Sequence, residues 1–311
     1  MKTSQQALTI KKQSPWKKHW MALLILVPAL LEVLIFKYLP LIGIVIAFKD
    51  FNILQGIWGS PWVGFENFKE IFSNPDMLKA VKNTLINGVA LTFGGFPFPI
   101  VLALLFNELR CRRFKKLSQT LTYMPHFLSW ISVVGLFYAF FATEGSYNMF
   151  MIKIFGDTWE SKNILLDSKN FLPIIFWSHI WKAVGWSSIV FLAAITGIDD
   201  GLYEAATLDG CGRLKQTWYI TLPSIKGTIV VVLVMSLGSL VTSSFDQVYG
   251  FQNLFTQEDT EVIQTLIYRQ GIQGGKYSLA SAFGLSQGLV QITLIMMANF
   301  LSKKLMQTSI W

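Results

Sequence analysis

The chain has 311 residues, of which 52% are hydrophobic and only 14% charged, with a formal net charge of +8 and a mean hydropathy of +0.47. Soluble domains carry about 25% charged residues, so this composition excludes an ordinary water-soluble fold and points to a bilayer. The positive balance belongs to loops on the inner side of a membrane rather than to a nucleic-acid surface.

The predicted elements are apolar spans of about 20 residues. In chain order they are Trp20–Leu39, Val81–Phe106, Leu121–Ala142, Phe171–Gly197, Gly227–Phe245 and Leu279–Leu301. The fold class is therefore all-α integral membrane, with six transmembrane helices. Residues 1–19 form a tail and 20–311 a single transmembrane domain, with a core over 79–303. Lys11, Lys12, Lys17 and Lys18 precede the first apolar run, which continues to about Phe48. That run is too long for a signal-peptide core, so it reads as an uncleaved first span. Gly94, Gly95, Pro97 and Pro99 lie within the second span, and membrane helices tolerate such breakers where neighbours satisfy the freed backbone.

Orientation follows from the basic residues. With the N-terminus inside, Lys and Arg number five in the tail, five in 107–120, three in 198–226 and two at the C-terminus, or 15 of 26. The outer segments 49–80, 143–170 and 246–278 hold fewer, spread over longer stretches and mixed with most acids. Both termini are thus expected in the cytoplasm. The long outer segments, rich in aromatic residues and Asn, suit contact with a soluble extracytoplasmic partner.

Chemistry-bearing patterns are few. Cys111 and Cys211 fall in inner loops, and His19, His126 and His179 are widely spaced, so no disulfide framework and no metal site follows. No cofactor is expected in the chain. The nearest approach to a phosphate-binding loop, Gly271 to Tyr277, lacks the required glycine spacing and hydroxyl. If ATP drives the protein, another subunit binds it. Ionisable residues within spans are Glu32, His179 and Lys182, with Asp246 at a span end; their burial is expensive, which makes them functional candidates. A sugar path needs aromatic platforms and hydrogen-bonding groups. Trp177, Trp181, Lys182 and Trp186 in the fourth span, with Ser243, Asp246 and Tyr249 beyond the fifth, are the candidates. Belt tryptophans and interhelical polar contacts are the plain alternative. Gly284 and Gly288 form a G-x-x-x-G pair, which implies only close packing.

The loop 199–225 carries the strongest signal. Glu204-Ala205-Ala206, then Gly210, then Ile220, Leu222 and Pro223 are spaced E-A-A-x3-G-x9-I-x-L-P. Alanines favour helix, Gly210 ends it, and Pro223 stops or restarts it. Two short helices joined at a glycine are expected, with Asp209 capping the second and Glu204 near the start of the first. This pattern resembles the EAA loop of binding-protein-dependent ABC importer permeases. Cys211, where relatives commonly have Ala, and Gly227, where many have Pro, are mild departures. Tyr123 to Trp130, Ile180 to Trp186, Phe245 to Tyr249, and Phe36 to Pro40 with Ala47 to Asp50 resemble a narrower group, the permeases for complex oligosaccharides and polysaccharide fragments.

The resemblance implies a maltose-permease-like subunit that couples, through this loop, to two ATPase subunits binding ATP and Mg. It also implies a second homologous permease and an extracytoplasmic sugar-binding protein, in a bacterial inner membrane. An ion-coupled secondary transporter is the alternative, but the internal repeat typical of that class is not evident. A membrane enzyme is disfavoured by the lack of a Ser/His/Asp set, H-E-x-x-H or paired carboxylates.

Overall fold

Long apolar stretches with few strand-forming alternations must satisfy their backbone internally, and in lipid only helices or closed barrels do so. The computed structural model describes residues 15–306, and these fold as helices without a β-sheet. Lys2, Lys11 and Lys12 of the inner tail lie outside the described residues.

Helix α1 (Pro15–Val33) runs through a π-helical turn, Leu34–Tyr38, into a 3-10 segment, Leu39–Phe48. The first apolar element thus reaches Phe48 rather than ending at Leu39. Helix α2 (Pro75–Val89) starts where Asn74 accepts a hydrogen bond from the Asp76 amide, with Pro75 at its first position. The missing proline N–H is not needed there. It continues through a π turn, Ala90–Gly94, into α3 (Pro97–Glu108), so the span runs on through its glycines and prolines, as expected.

Two spans are bent where straight helices were expected. The third is α4 (Arg112–Tyr123) and α5 (Trp130–Phe141), broken around Met124–Ser129 with a bend of 103°. Pro125 tightens the chain into a 3-10 turn, Leu128 is extended, and the Ser129 hydroxyl restarts the helix by accepting from the Ser132 amide. The fifth, expected over Gly227–Phe245, is helical only from Lys226 to Leu237 (α9), and α10 begins anew at Phe245 (Phe245–Phe251). A bend of 62° also separates α9 from the segment ending at Ser224. Among the described residues four helices are long and apolar enough to cross a membrane, or up to six if each bent pair is one span. Helix α6 (Phe171–Thr196) is the fourth expected span, and α11 (Tyr277–Met306) the last.

Among the described residues packing joins these elements in four groups, one of which sets Val230 and Val234 of α9 against Ala298 of α11. Ala103 of α3, Phe191 and Ile195 of α6 and Ile225 pack together at the C-terminal end of α6. Val134, Phe171, Ile175, Val248 and Phe251 join α5, α6 and α10 towards the other end. Met77 and Ala80 of α2 meet Leu266 and Phe283. Because lipid is as apolar as these side chains, close packing and hydrogen bonding hold the helices, not exclusion of water. Many large hydrophobic residues, such as Ile25, Phe36 and Phe300, are exposed on the surface, as a lipid-facing or subunit-facing exterior requires. Gly88 makes one close approach possible: a Cβ there would lie 1.9 Å from the Leu240 carbonyl oxygen. Only glycine lets α2 touch the irregular segment that follows α9.

Candidate functional site

Two regions carry functional candidates, one at each side of α6. The first is the E-A-A loop. Asp199 accepts from the Gly201 amide and starts α7 (Asp200–Leu208). Gly210 then adopts φ +73°, the left-handed region open to glycine. The Cys211 amide donates to the Ala206 carbonyl at 2.8 Å and the Gly210 amide to that of Thr207 at 3.1 Å. This doubly hydrogen-bonded termination satisfies carbonyls the helix would otherwise leave unpaired. A second short helix, α8 (Arg213–Gln216), follows and passes into a π turn over Thr217–Thr221. Two short helices meet at Gly210, as the sequence implied.

Two details differ from expectation. Asp209 is the C-cap of α7, and Gly212, without a side-chain bond, precedes α8; the glycine between them turns the chain before Asp209 could reach α8. Glu204 lies in the middle of α7, since Asp199 starts the helix a turn earlier.

Side chains brace the pair. Gln216 Nε2 donates to the Thr207 hydroxyl at 3.0 Å and the Cys211 carbonyl at 3.1 Å. The Tyr203 and Thr221 hydroxyls are 2.9 Å apart, and Arg213 pairs with Glu108 of α3 at 2.9 Å. Beside this brace lies an open cleft of about 600 Å³ that includes Glu108, Glu204 and Arg213 in its walls. Glu204 and Ala205 are exposed and Ala206 half-buried. Leu208, Leu214, Trp218 and Tyr219 are also exposed. Ile220 and Leu222 are half-buried, and Pro223 is exposed at the start of the bend into α9.

The second region is a cavity of about 370 Å³ between α2–α3, α6 and the α9–α10 junction. Thr92, His179, Ser187, Ser236, Ser243 and Gln247 are among its walls, and no Asp or Glu is. The irregular backbone after α9 borders it, which is the setting in which non-helical backbone is tolerated at membrane depth. Gln247 is buried and donates to the Ile175 carbonyl at 2.7 Å and the Ser178 hydroxyl at 3.0 Å, fastening α10 to α6. Two buried polar atoms of the walls, His179 Nδ1 and Ser243 Oγ, have no hydrogen-bond partner among the described residues. Such atoms are rare in folded proteins and each calls for an explanation.

The sequence-derived path residues are divided. Ser243 borders the cavity, whereas Trp177, Trp181, Lys182, Trp186, Asp246 and Tyr249 do not. Lys182 donates to the His126 carbonyl at 2.7 Å and lies over the Trp130 ring. Trp186 stacks on His126 with centroids 4.6 Å apart. These residues hold the break between α4 and α5 on another side of α6. Trp177 packs edge-on against Phe98, and Trp181 lies beside Phe137. Tyr249 stacks on Phe245 beneath the Arg269 guanidinium, with exposed Asp246 nearby in sequence. Thr92 and Ser187 were missed by sequence reading. The glycine–proline cluster following Thr92 was the available signal; Ser187 gave none.

A helical membrane subunit with a braced loop and a polar cavity between bent helices is the class of a transport permease. The family described as binding-protein-dependent transport system inner membrane component matches residues 95–305, and the chain belongs to it. It is 40% identical over all of its length to Protein LplB of Bacillus subtilis, covering 98% of that protein. It is 42% identical to the polygalacturonan/rhamnogalacturonan transport system permease protein YteP of the same organism, over 93% of this chain and 89% of the relative. A solved bacterial alginate ABC transporter, in complex with alginate pentasaccharide-bound periplasmic protein, contains a chain that superposes with a TM-score of 0.86 at 35% identity. The match covers 95% of this chain and 98% of that one. The chain is thus the membrane component of an ABC transporter, a permease subunit rather than an enzyme.

Proposed function

We propose that this permease subunit carries oligosaccharides into the cytoplasm, with uronate-containing fragments as the leading class of cargo. The observation that carries the reading is the pair of unpartnered polar atoms, His179 Nδ1 and Ser243 Oγ, in the walls of one cavity. A hydroxyl-rich ligand supplies donors and acceptors to both. The cavity size falls within the range of small-molecule sites, about 300–1,000 Å³, and its lack of carboxylates leaves no like charge to repel an acidic sugar. Relatives named for polygalacturonan, rhamnogalacturonan and alginate support the acidic class.

Energy comes from ATP, bound with Mg by two partner ATPase subunits. Glu204, Ala205, Ala206, Asp209, Gly210, Ile220, Leu222 and Pro223 form the coupling element. Its exposed face, with Leu208 and Leu214, docks into an ATPase cleft, and the brace to Glu108 passes the motion to α3. A second homologous permease and an extracytoplasmic sugar-binding protein complete the importer, with the termini of this chain in the cytoplasm. Trp177, Trp181, Lys182, Trp186, Asp246 and Tyr249 serve at most as outer parts of the path or as its frame.

The test is uptake by the reconstituted complex. His179→Phe and Ser243→Val should raise the apparent KM for cargo while leaving cargo-independent ATPase activity unchanged. An unaltered KM in both variants refutes the assignment of the cavity.

A further inference from the structure

The first turns of α4 carry Arg112, Arg113, Lys115 and Lys116. Arg112, Arg113 and Lys116 are exposed, and Lys115 is half-buried. Among the described residues none of these four side chains is in an ion pair. The chain supplies no local counter-charge. No Asp or Glu occurs from Leu109 to Thr143, and Glu108, the nearest, is paired with Arg213. The helix itself disfavours cations here. Its first turn has no acidic residue and Cys111 provides no side-chain cap, so the positive end of the helix dipole adds to the four like charges.

Further along, the same exposed side turns apolar. At about 3.6 residues per turn, Arg113, Lys116, Leu117, Leu121 and Met124 fall on one side, away from the half-buried Ser118 and Thr122. Leu117, Leu121 and Met124 are each more than half exposed, and no residue of α4 is buried. The two halves of this side lie at different depths. Helix α4 starts four residues after Glu108, where α3 ends, and so at a membrane boundary. It ends deeper. The Thr122 carbonyl abuts Gly185, where a Cβ would overlap it. Gly185 lies 11 residues before Thr196, the end of α6, or roughly 16 Å at 1.5 Å per residue. The cations therefore stand at headgroup level and the exposed leucines within the hydrocarbon of one leaflet.

We infer that the exposed side of α4 is a binding site for an anionic phospholipid. Arg112, Arg113 and Lys116 take the phosphate, and the acyl chains lie along Leu117 and Leu121. Charge complementarity selects this occupant. A soluble acidic partner would match the cations and leave the apolar half uncovered. An apolar helix of another subunit would match only that half. One phospholipid matches both, in the order in which they occur along the helix. None of these residues borders the cavity assigned to cargo, so the lipid site is separate from it.

The experiment uses the whole importer in liposomes of phosphatidylcholine and phosphatidylglycerol, with one of the two made photoreactive near its glycerol backbone. Adducts are located by mass spectrometry of the peptides. Phosphatidylglycerol adducts are expected to concentrate on 112–124 and to exceed phosphatidylcholine adducts there several-fold. In the variant Arg112→Gln, Arg113→Gln, Lys116→Gln their yield on 112–124 should fall about tenfold, because each basic residue near an anionic headgroup adds to the attraction. Phosphatidylcholine adducts on the exposed Phe300 should stay unchanged, which shows that the variant is inserted and folded. A photo-crosslinking amino acid at Leu117 of the otherwise unaltered chain gives an independent readout, with lipid adducts expected. Equal yields from the two lipids on 112–124, or an undiminished yield in the inserted variant, overturn the inference. So do adducts from Leu117 to another subunit in place of lipid.

Discussion

Gly210 provides the sharpest test of the coupling loop. Its φ of +73° lies in the left-handed region, and a Cβ built there meets nothing within 4 Å. The cost of Gly210→Ala is therefore backbone strain alone, about 1–2 kcal/mol. Gly210→Asn should cost less, because Asn visits this region more readily. Gly210→Pro should cost about 3 kcal/mol or more, since it forces φ near −65° and removes the amide that donates to Thr207. If the loop must hold this turn to engage the ATPase, 1–2 kcal/mol lowers the ratio of engaged to disengaged loops about 5- to 30-fold. The assay is ATP-driven uptake in proteoliposomes, with ATPase subunits retained on the permease as a second readout. The expected order is wild type, then Asn, Ala and Pro, with the protein still inserted. Equal uptake for Ala and Asn, or normal uptake for Pro, refutes the argument that this turn transmits the motion.

Other outcomes follow from the same geometry. Glu204→Ala should abolish uptake with insertion intact, because about 2–5 kcal/mol is lost when one partner of a buried interfacial charge pair is truncated; normal uptake sinks that role. Gly88→Ala drives a Cβ into the Leu240 carbonyl and should cost about 1–3 kcal/mol as overpacking, measured as a lower melting temperature in detergent. Cysteines at Glu160 and Gln257 should label from outside, and one at Lys215 only after permeabilisation. Asn148 is unsuitable because it is buried and bonded to Ala142, Lys162 and Trp159. The hydrogen bond from Lys79 holds the Asp259 carboxyl below its usual range. A depressed folded-state value stabilises above the unfolded one, so this tie is lost as pH falls through the depressed value. Proteolysis of 253–262 should then rise in acid, and should lose that dependence in Lys79→Met.

The composition and the length of the apolar runs made the helical membrane class legible, and the E-A-A spacing made the loop legible down to the turn at Gly210. Both are local signals. Propensity and breaker residues within a few positions decide them. The bends were not legible in the same way. Met124-Pro125 and Ser129 announce a break, but a long apolar run hides it, and the segment after Leu237 is held by tertiary contacts, with Gly88 of α2 at Leu240 and Gln287 of α11 at the Val241 carbonyl. The path residues were harder still. Tryptophans on α6 looked like stacking platforms, yet the helix turns Trp177, Trp181 and Trp186 away from the cavity that His179 and Ser187 border. Which side of a uniformly apolar helix faces a cavity is set by tertiary packing, and the sequence carries little record of it.

The proposed route takes cargo through this subunit by way of the cavity between α2–α3, α6 and the α9–α10 junction. The most direct measurement is accumulation of a labelled oligogalacturonate inside proteoliposomes holding the complete importer, its binding protein outside and ATP within. A side-by-side series compares wild type with the His179→Phe, Ser243→Val double variant. ATP-dependent accumulation by wild type, and at least about a tenfold loss of uptake at low cargo in the double variant with basal ATPase activity retained, is the predicted result, since each lost hydrogen bond is worth on the order of 1 kcal/mol. Equal accumulation by both proteins would contradict it.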